Sequence, residues 1–146
     1  MQGGFATLAG VRKETTSPEE TERIAAELAR RLDPGDVVLI RGELGSGKTT
    51  FVRGAARALG VTGAVTSPTF TIGQVYAAEP AEVAHLDLYR LASLDGEDPA
   101  LLDDYLTPQR IGFVEWPGAG AGSFERVAAR VTLEHRGGDR RVVTVE

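Results

Sequence analysis

The stretch Val37-Val38-Leu39-Ile40-Arg41-Gly42-Glu43-Leu44-Gly45-Ser46-Gly47-Lys48-Thr49-Thr50 decides the reading of this chain. Its first four residues form a short apolar run, rich in β-branched side chains, of the kind that fills a strand buried on both faces of an α/β sheet. Gly42 to Thr49 then spells a P-loop, and Phe51, Val52, Ala55, Ala56 and Leu59 follow at helical spacing up to a helix-stopping Gly60. Strand, glycine-rich loop and helix in that order are the context a P-loop requires. The three glycines let backbone N–H groups turn toward phosphate oxygens, and the helix adds its positive end. Lys48 is expected to pair with the β- and γ-phosphates, Thr49 to place its hydroxyl on magnesium, and Thr50 to help hold the phosphate nearest the sugar.

Composition narrows the chemistry. Of sixteen basic residues fourteen are arginine, and one of the two lysines, Lys48, stands in the loop, where a compact ammonium is needed and a planar guanidinium is no substitute. The chain has no cysteine and two histidines, so sulfur-based zinc sites, thiolate catalysis and histidine metal clusters are excluded. It has no asparagine either, so the Asn-Lys-x-Asp element that reads guanine is missing and ATP is the favoured nucleotide. A net charge of -5 argues against unaided nucleic-acid binding. The 146 residues suit one domain, and without a long apolar span or a secretory leader the expectation is a cytoplasmic protein.

Outward from the loop, Phe5 to Val11 reads as a short edge strand. Ser17-Pro18-Glu19-Glu20 starts a capped helix that runs through Ile24, Ala25, Leu28 and Leu32 to the turn Asp33-Pro34-Gly35-Asp36. Phe70 to Ala77, Val83 to Leu88 and Ile111 to Trp116 read as strands, with a short helix around Leu101 to Leu106. Gly118 to Gly122 reads as a loop. Val127 to His135 and Arg141 to Val145 alternate about a two-residue Gly137-Gly138 turn as an antiparallel hairpin.

A P-loop also needs a carboxylate for magnesium, usually at the end of a neighbouring buried strand. Asp87 and Glu115 both qualify, and pattern alone does not rank them. Ser67-Pro68-Thr69-Phe70 stands where a loop sensing the γ-phosphate could lie, although an ordinary turn explains it as well. His85 reads as a packed histidine, Trp116 as a packing anchor rather than a stacking platform, and Arg53 and Arg57 as a solvated helix face.

Four blocks in order resemble the TsaE (YjeE) family, the P-loop ATPases of bacterial tRNA threonylcarbamoyladenosine formation. They are Gly42 to Thr50, Ser67 to Phe70, His85-Leu86-Asp87-Leu88-Tyr89-Arg90-Leu91, and Glu115-Trp116-Pro117. The resemblance implies a three-layer α/β P-loop fold with a mixed central sheet. It implies that Asp87 is the Walker-B-like acid, that Thr49 and Glu115 bind magnesium, and that Ser67 to Phe70 is switch-like. Trp116 would lie beside the nucleotide, and Thr15, Thr16 and Ser17 would border the adenine. It further implies partners, TsaD and TsaB, with tRNA reached only through that complex. Lys48, Asp87 and Glu115 are then the candidate catalytic residues. No arginine finger can be named, which predicts slow hydrolysis by the chain alone and faster turnover with partners. A small-molecule kinase and a nucleotide-gated assembly module with little hydrolysis are the alternatives. Ala92 to Leu101 follows the family's acidic helical pattern only loosely.

Overall fold

A computed structural model describes residues 10–43, 45–66, 72–88, 100–115, 124 and 126–146. In chain order these form β1 (Val11–Thr15), α1 (Pro18–Ala29), β2 (Val37–Gly42), α2 (Lys48–Ala58), β3 (Gly73–Tyr76), β4 (Val83–Asp87), α3 (Ala100–Asp103), β5 (Ile111–Glu115), β6 (Val127–His135) and β7 (Arg141–Val145). The strands make one mixed seven-stranded sheet in the order β1-β7-β6-β2-β5-β4-β3. Its central strands β6, β2, β5 and β4 run parallel, whereas β3, β7 and β1 pair antiparallel at the two sides.

The apolar run of β2 is buried throughout, as its lack of alternation predicts, because it lies between two parallel neighbours. Val38 and Ile40 face one side with Phe113, Val131 and Leu133, where α1 and α2 cover them with Ala25, Leu28, Phe51, Val52 and Ala55. Full burial of each such Val, Leu or Ile contributes roughly 1.5–3 kcal/mol. Val37, Leu39, Leu86 and Val114 face the other side. There the described cover is Leu102, Tyr105 and Leu106, which follow the short α3 or belong to it, together with Phe124. Among the described residues, both long helices therefore lie on one face of the sheet.

Local signals read from the chain account for the helix ends. Ser17 is extended and its Oγ accepts from the Glu20 N–H at 3.2 Å, with Pro18 in the first turn. Glu20 does not return to Ser17 as a standard capping box would; its carboxylate accepts from the Thr16 N–H at 2.6 Å. At the far end of α2, Gly60 has φ 102°, and the Gly60 and Val61 N–H groups donate to Arg57 O and Ala56 O. That pair of bonds is a Schellman motif, which a left-handed glycine allows.

Three expectations are corrected. The described edge strand runs from Val11 on to Thr15, beyond the expected end at Val11, because pairing with β7 recruits polar residues that carry no strand pattern of their own; residues 5–9 lie outside the described residues. The hairpin connection is longer than two residues, since Arg136 still bonds to Arg140 O and the turn takes in Gly137, Gly138 and Asp139. Arg53 is not simply solvated: its side chain is 29% exposed and its Nε lies 3.1 Å from Glu22 of α1. The expected loop at Gly118 to Gly122, together with Tyr89, Arg90, Leu91 and Pro117, also lies outside the described residues.

Candidate phosphate-binding site

The loop leaves the C-terminal end of β2 in the middle of the sheet and enters α2. A side chain at Gly42 would run into Ser46 Oγ and would lie 2.7 Å from Leu133 O, so the strand can turn there only without a Cβ. Gly47 is the N-cap of α2 at φ 101°, and it supplies no side-chain cap. The first turn of α2 carries no acidic residue, in contrast to Glu19 and Glu20 in α1. The positive end of α2 is thus neither capped nor neutralised by its own side chains, which is the condition for receiving a ligand anion.

Lys48 Nζ folds back over the loop, donating to Gly42 O at 2.7 Å and to Glu43 O at 3.0 Å. Burial pushes its pKa below the ordinary lysine value, while the carboxylates of Glu115 and Asp87 oppose that shift. The amine therefore feels both strand-end acids.

Strand register explains why. Ile40, Glu115 and Asp87 stand side by side across β2, β5 and β4, and Val38, Phe113 and His85 form the row two residues earlier. By strand alternation all six point to the face that carries α2. Two acids 28 positions apart in sequence thus share one row beside the loop. Glu115 is 3% exposed, and His85 Nε2 lies 2.6 Å from its Oε2. His85 is entirely buried and therefore packed, as expected, but it also holds one of the candidate acids. The Asp87 N–H donates to Ile72 O at 2.7 Å, which ties the end of β4 to the segment entering β3.

Beside the start of α2 is a small hollow of about 30 Å³ lined by Pro18, Thr21, Gly47, Thr50, Asp139 and Arg141. The N-terminus of α1 and the hairpin turn thus meet at Gly47. Ser17 caps α1 next to that hollow, and Thr15 and Thr21 share a hydrogen bond of 2.8 Å. Thr21, Asp139 and Arg141 carry no linear motif; only the sheet order, which returns β7 toward β1, brings them here. A cavity of about 470 Å³ lies at the opposite ends of the strands, lined among others by Gly35, Val37, Arg110 and Gly112. Leu44, Ser67, Pro68, Thr69, Phe70 and Trp116 lie outside the described residues.

Oxygen donors at Thr49, Asp87 and Glu115 suit a hard divalent cation such as magnesium. Among the described residues no group of three or more His, Cys, Asp or Glu side chains could hold a metal alone.

Residues 15–143 match the family model described as "Threonylcarbamoyl adenosine biosynthesis protein TsaE". The chain is 38% identical over 130 residues to the tRNA threonylcarbamoyladenosine biosynthesis protein TsaE of Bacillus subtilis, covering 89% of this chain and 81% of that relative. It is 40% identical over 122 residues to the protein of the same name from Streptomyces coelicolor, covering 80% of each. The crystal structure of the Bacillus protein YdiB superposes with a TM-score of 0.74 at 33% identity, covering 92% of this chain and 83% of that one.

Proposed function

The chain belongs to the TsaE family, and from that premise we propose that it binds and hydrolyses ATP within the machinery that makes threonylcarbamoyladenosine in tRNA. The observation that carries the reading is the meeting of Lys48, at an uncapped helix N-terminus, with the in-register acids Asp87 and Glu115. A glycine-rich turn that merely joined strand to helix would not need a buried Glu115 and a strand-end Asp87 in one row beside its lysine.

In this reading the chain is a single cytoplasmic P-loop domain with the three-layer arrangement of that fold. Backbone N–H groups of residues 42–48 bind the β- and γ-phosphates, and Lys48 leaves its two carbonyl partners to neutralise charge on them. Thr50 holds the phosphate nearest the sugar. Thr49 and Glu115 would hold magnesium, which when bound would offset negative charge developing on the transferred phosphoryl group. Asp87 or Glu115 orients the attacking water, and the γ-phosphoryl passes from ATP to that water as the bond to the β-phosphate oxygen breaks, leaving ADP and inorganic phosphate. The Ser67 to Phe70 segment responds to the γ-phosphate. Trp116 lies beside the nucleotide, with the adenine near Ser17 and the hollow at Pro18 and Thr21.

The partners are TsaB and TsaD, and ATP turnover resets that pair so that TsaD can cycle; tRNA is met only through the complex. A small-molecule kinase would have to seat an acceptor beside the γ-phosphate; a cavity of about 560 Å³ does lie at the loop, lined by Arg41, Gly42, Glu43, Thr132, Leu133 and Glu134, so the reaction products decide between the two readings.

The test is phosphate release from ATP and magnesium by the purified chain, with and without its TsaB–TsaD pair. Turnover that rises with the pair and disappears in Lys48→Ala and Glu115→Ala supports the proposal. A pair that neither binds nor stimulates removes the resetting role and leaves nucleotide binding alone. A phosphorylated small molecule among the products would favour the kinase instead.

A further inference from the structure

We propose that His85 is a positioning residue: its Nε2–H holds one oxygen of Glu115 so that the carboxylate is fixed, before any ligand arrives, for a divalent cation at the phosphate loop. The inference rests on the reading of Glu115 as a cation ligand.

The two side chains are 0% and 4% exposed and 2.6 Å apart, so neither can exchange this contact for bulk water. Among the described residues, Nε2 is the imidazole nitrogen with a hydrogen-bond partner, and Nδ1 is buried without one. A histidine that served packing or backbone anchoring would spend its nitrogens on main-chain groups. Here the single polar contact of the ring is a candidate ligand from another strand.

The neutral tautomer with its proton on Nε2 satisfies the carboxylate and leaves Nδ1 as a bare acceptor. The register sets the approach: His85 lies opposite Phe113, two residues before the row of Asp87 and Glu115, so it reaches Glu115 diagonally from below. A bond to Oε2 from that direction leaves Oε1 for the loop, where Lys48 already responds to the charge of Glu115. Glutamate has three side-chain dihedrals, and the bond removes most of their freedom. Groups that orient metal ligands in this way typically change affinity by about 10–100-fold when lost. Leucine or phenylalanine could fill the same space but would supply no donor.

The experiment is a titration of the full chain, loaded with a non-hydrolysable ATP analogue, with Mn²⁺ followed by electron paramagnetic resonance. His85→Leu should weaken Mn²⁺ binding about tenfold or more while leaving metal-free nucleotide binding unchanged. His85→Gln, whose amide N–H can stand in for Nε2, should recover most of the affinity. In a Glu115→Gln background, His85→Leu should have no further effect. Parental Mn²⁺ affinity in His85→Leu, or an equal loss in both Glu115 backgrounds, overturns the proposal. Failure of the parent chain to take Mn²⁺ with the nucleotide is a different result: it removes the cation-site reading itself, and this inference with it. If His85→Leu does not fold, His85→Asn replaces it, since the shorter amide does not reach Oε2. Weaker binding in Asn than in Gln sustains the proposal, and equal binding overturns it.

Discussion

At the scale of single residues, Lys48 concentrates the electrostatics of the site. Its ammonium feels two acids, and it donates to the carbonyls of Gly42 and Glu43. Replacing it by methionine keeps the stem and removes the charge. Nucleotide affinity should fall about 10–100-fold, the worth of a charge-assisted hydrogen bond, as read by titration calorimetry. A pH dependence follows from the same burial. The folded pKa lies below the ordinary value of 10.5, so between the two values the unfolded chain binds more protons and stability rises with pH. The stability of the parent relative to Lys48→Met should therefore climb as alkaline pH approaches 10.5; chemical denaturation at several pH values would detect it, and a difference that falls would contradict the burial argument. The passage from β2 through the loop glycines into α2 at Lys48 was legible because that pattern is contiguous in sequence. The bond from His85 to Glu115 was not, because it depends on β4 lying beside β5 and joins residues thirty positions apart.

At the scale of elements, the two long helices show where propensity and packing disagree. Glycine inside α2 should cost about 0.5–1 kcal/mol relative to alanine, yet a Cβ at Gly54 would stand 2.5 Å from Glu22 Cα and Glu22 O. The helices cross there at backbone distance, fastened by Glu22 to Arg53. Gly54→Ala should thus lower stability by about 1–3 kcal/mol, the usual cost of overpacking, in thermal or denaturant unfolding; a gain would mean that the helices separate freely. The start of α1 offers a second test. The Glu20 carboxylate accepts from both the Thr16 N–H and hydroxyl, and these bonds hold its pKa below the usual carboxylate value. The stability it adds is present above the unfolded-state value and lost as pH falls through the folded one. Glu20→Gln should therefore be less stable than the parent near neutral pH and approach it in acid. Ser17, Pro18 and Gly60 announced the helix ends in sequence because caps are local chemistry. The run of β1 past Val11 was not legible, because Arg12, Lys13 and Glu14 acquire strand geometry only from β7.

At the scale of the whole molecule, α1, α2 and the acid row share one face of the sheet, while the described cover of the other reaches only the strands near β2, β5 and β4. The remaining strands end in the hairpin, where exposed arginines could suggest a nucleic-acid surface. They do not form a continuous basic stripe: Arg136 lies 2.9 Å from Glu134, and Arg140 lies 3.3 Å from Glu14. With a net charge of -5, the long-range field repels a polyanion, and each exposed guanidinium of these pairs is largely offset by its neighbour. The proposed reading, in which the chain acts on partner proteins, therefore predicts no direct hold on tRNA. The isolated chain should show no saturable binding to labelled tRNA up to about 100 µM at physiological salt, the weak end of nonspecific affinity, in fluorescence anisotropy. Recruitment should appear only when TsaB and TsaD are added. Micromolar binding by the chain alone, weakening steeply as salt rises, would mean that local arginines outweigh the net charge and that the tRNA is a direct partner.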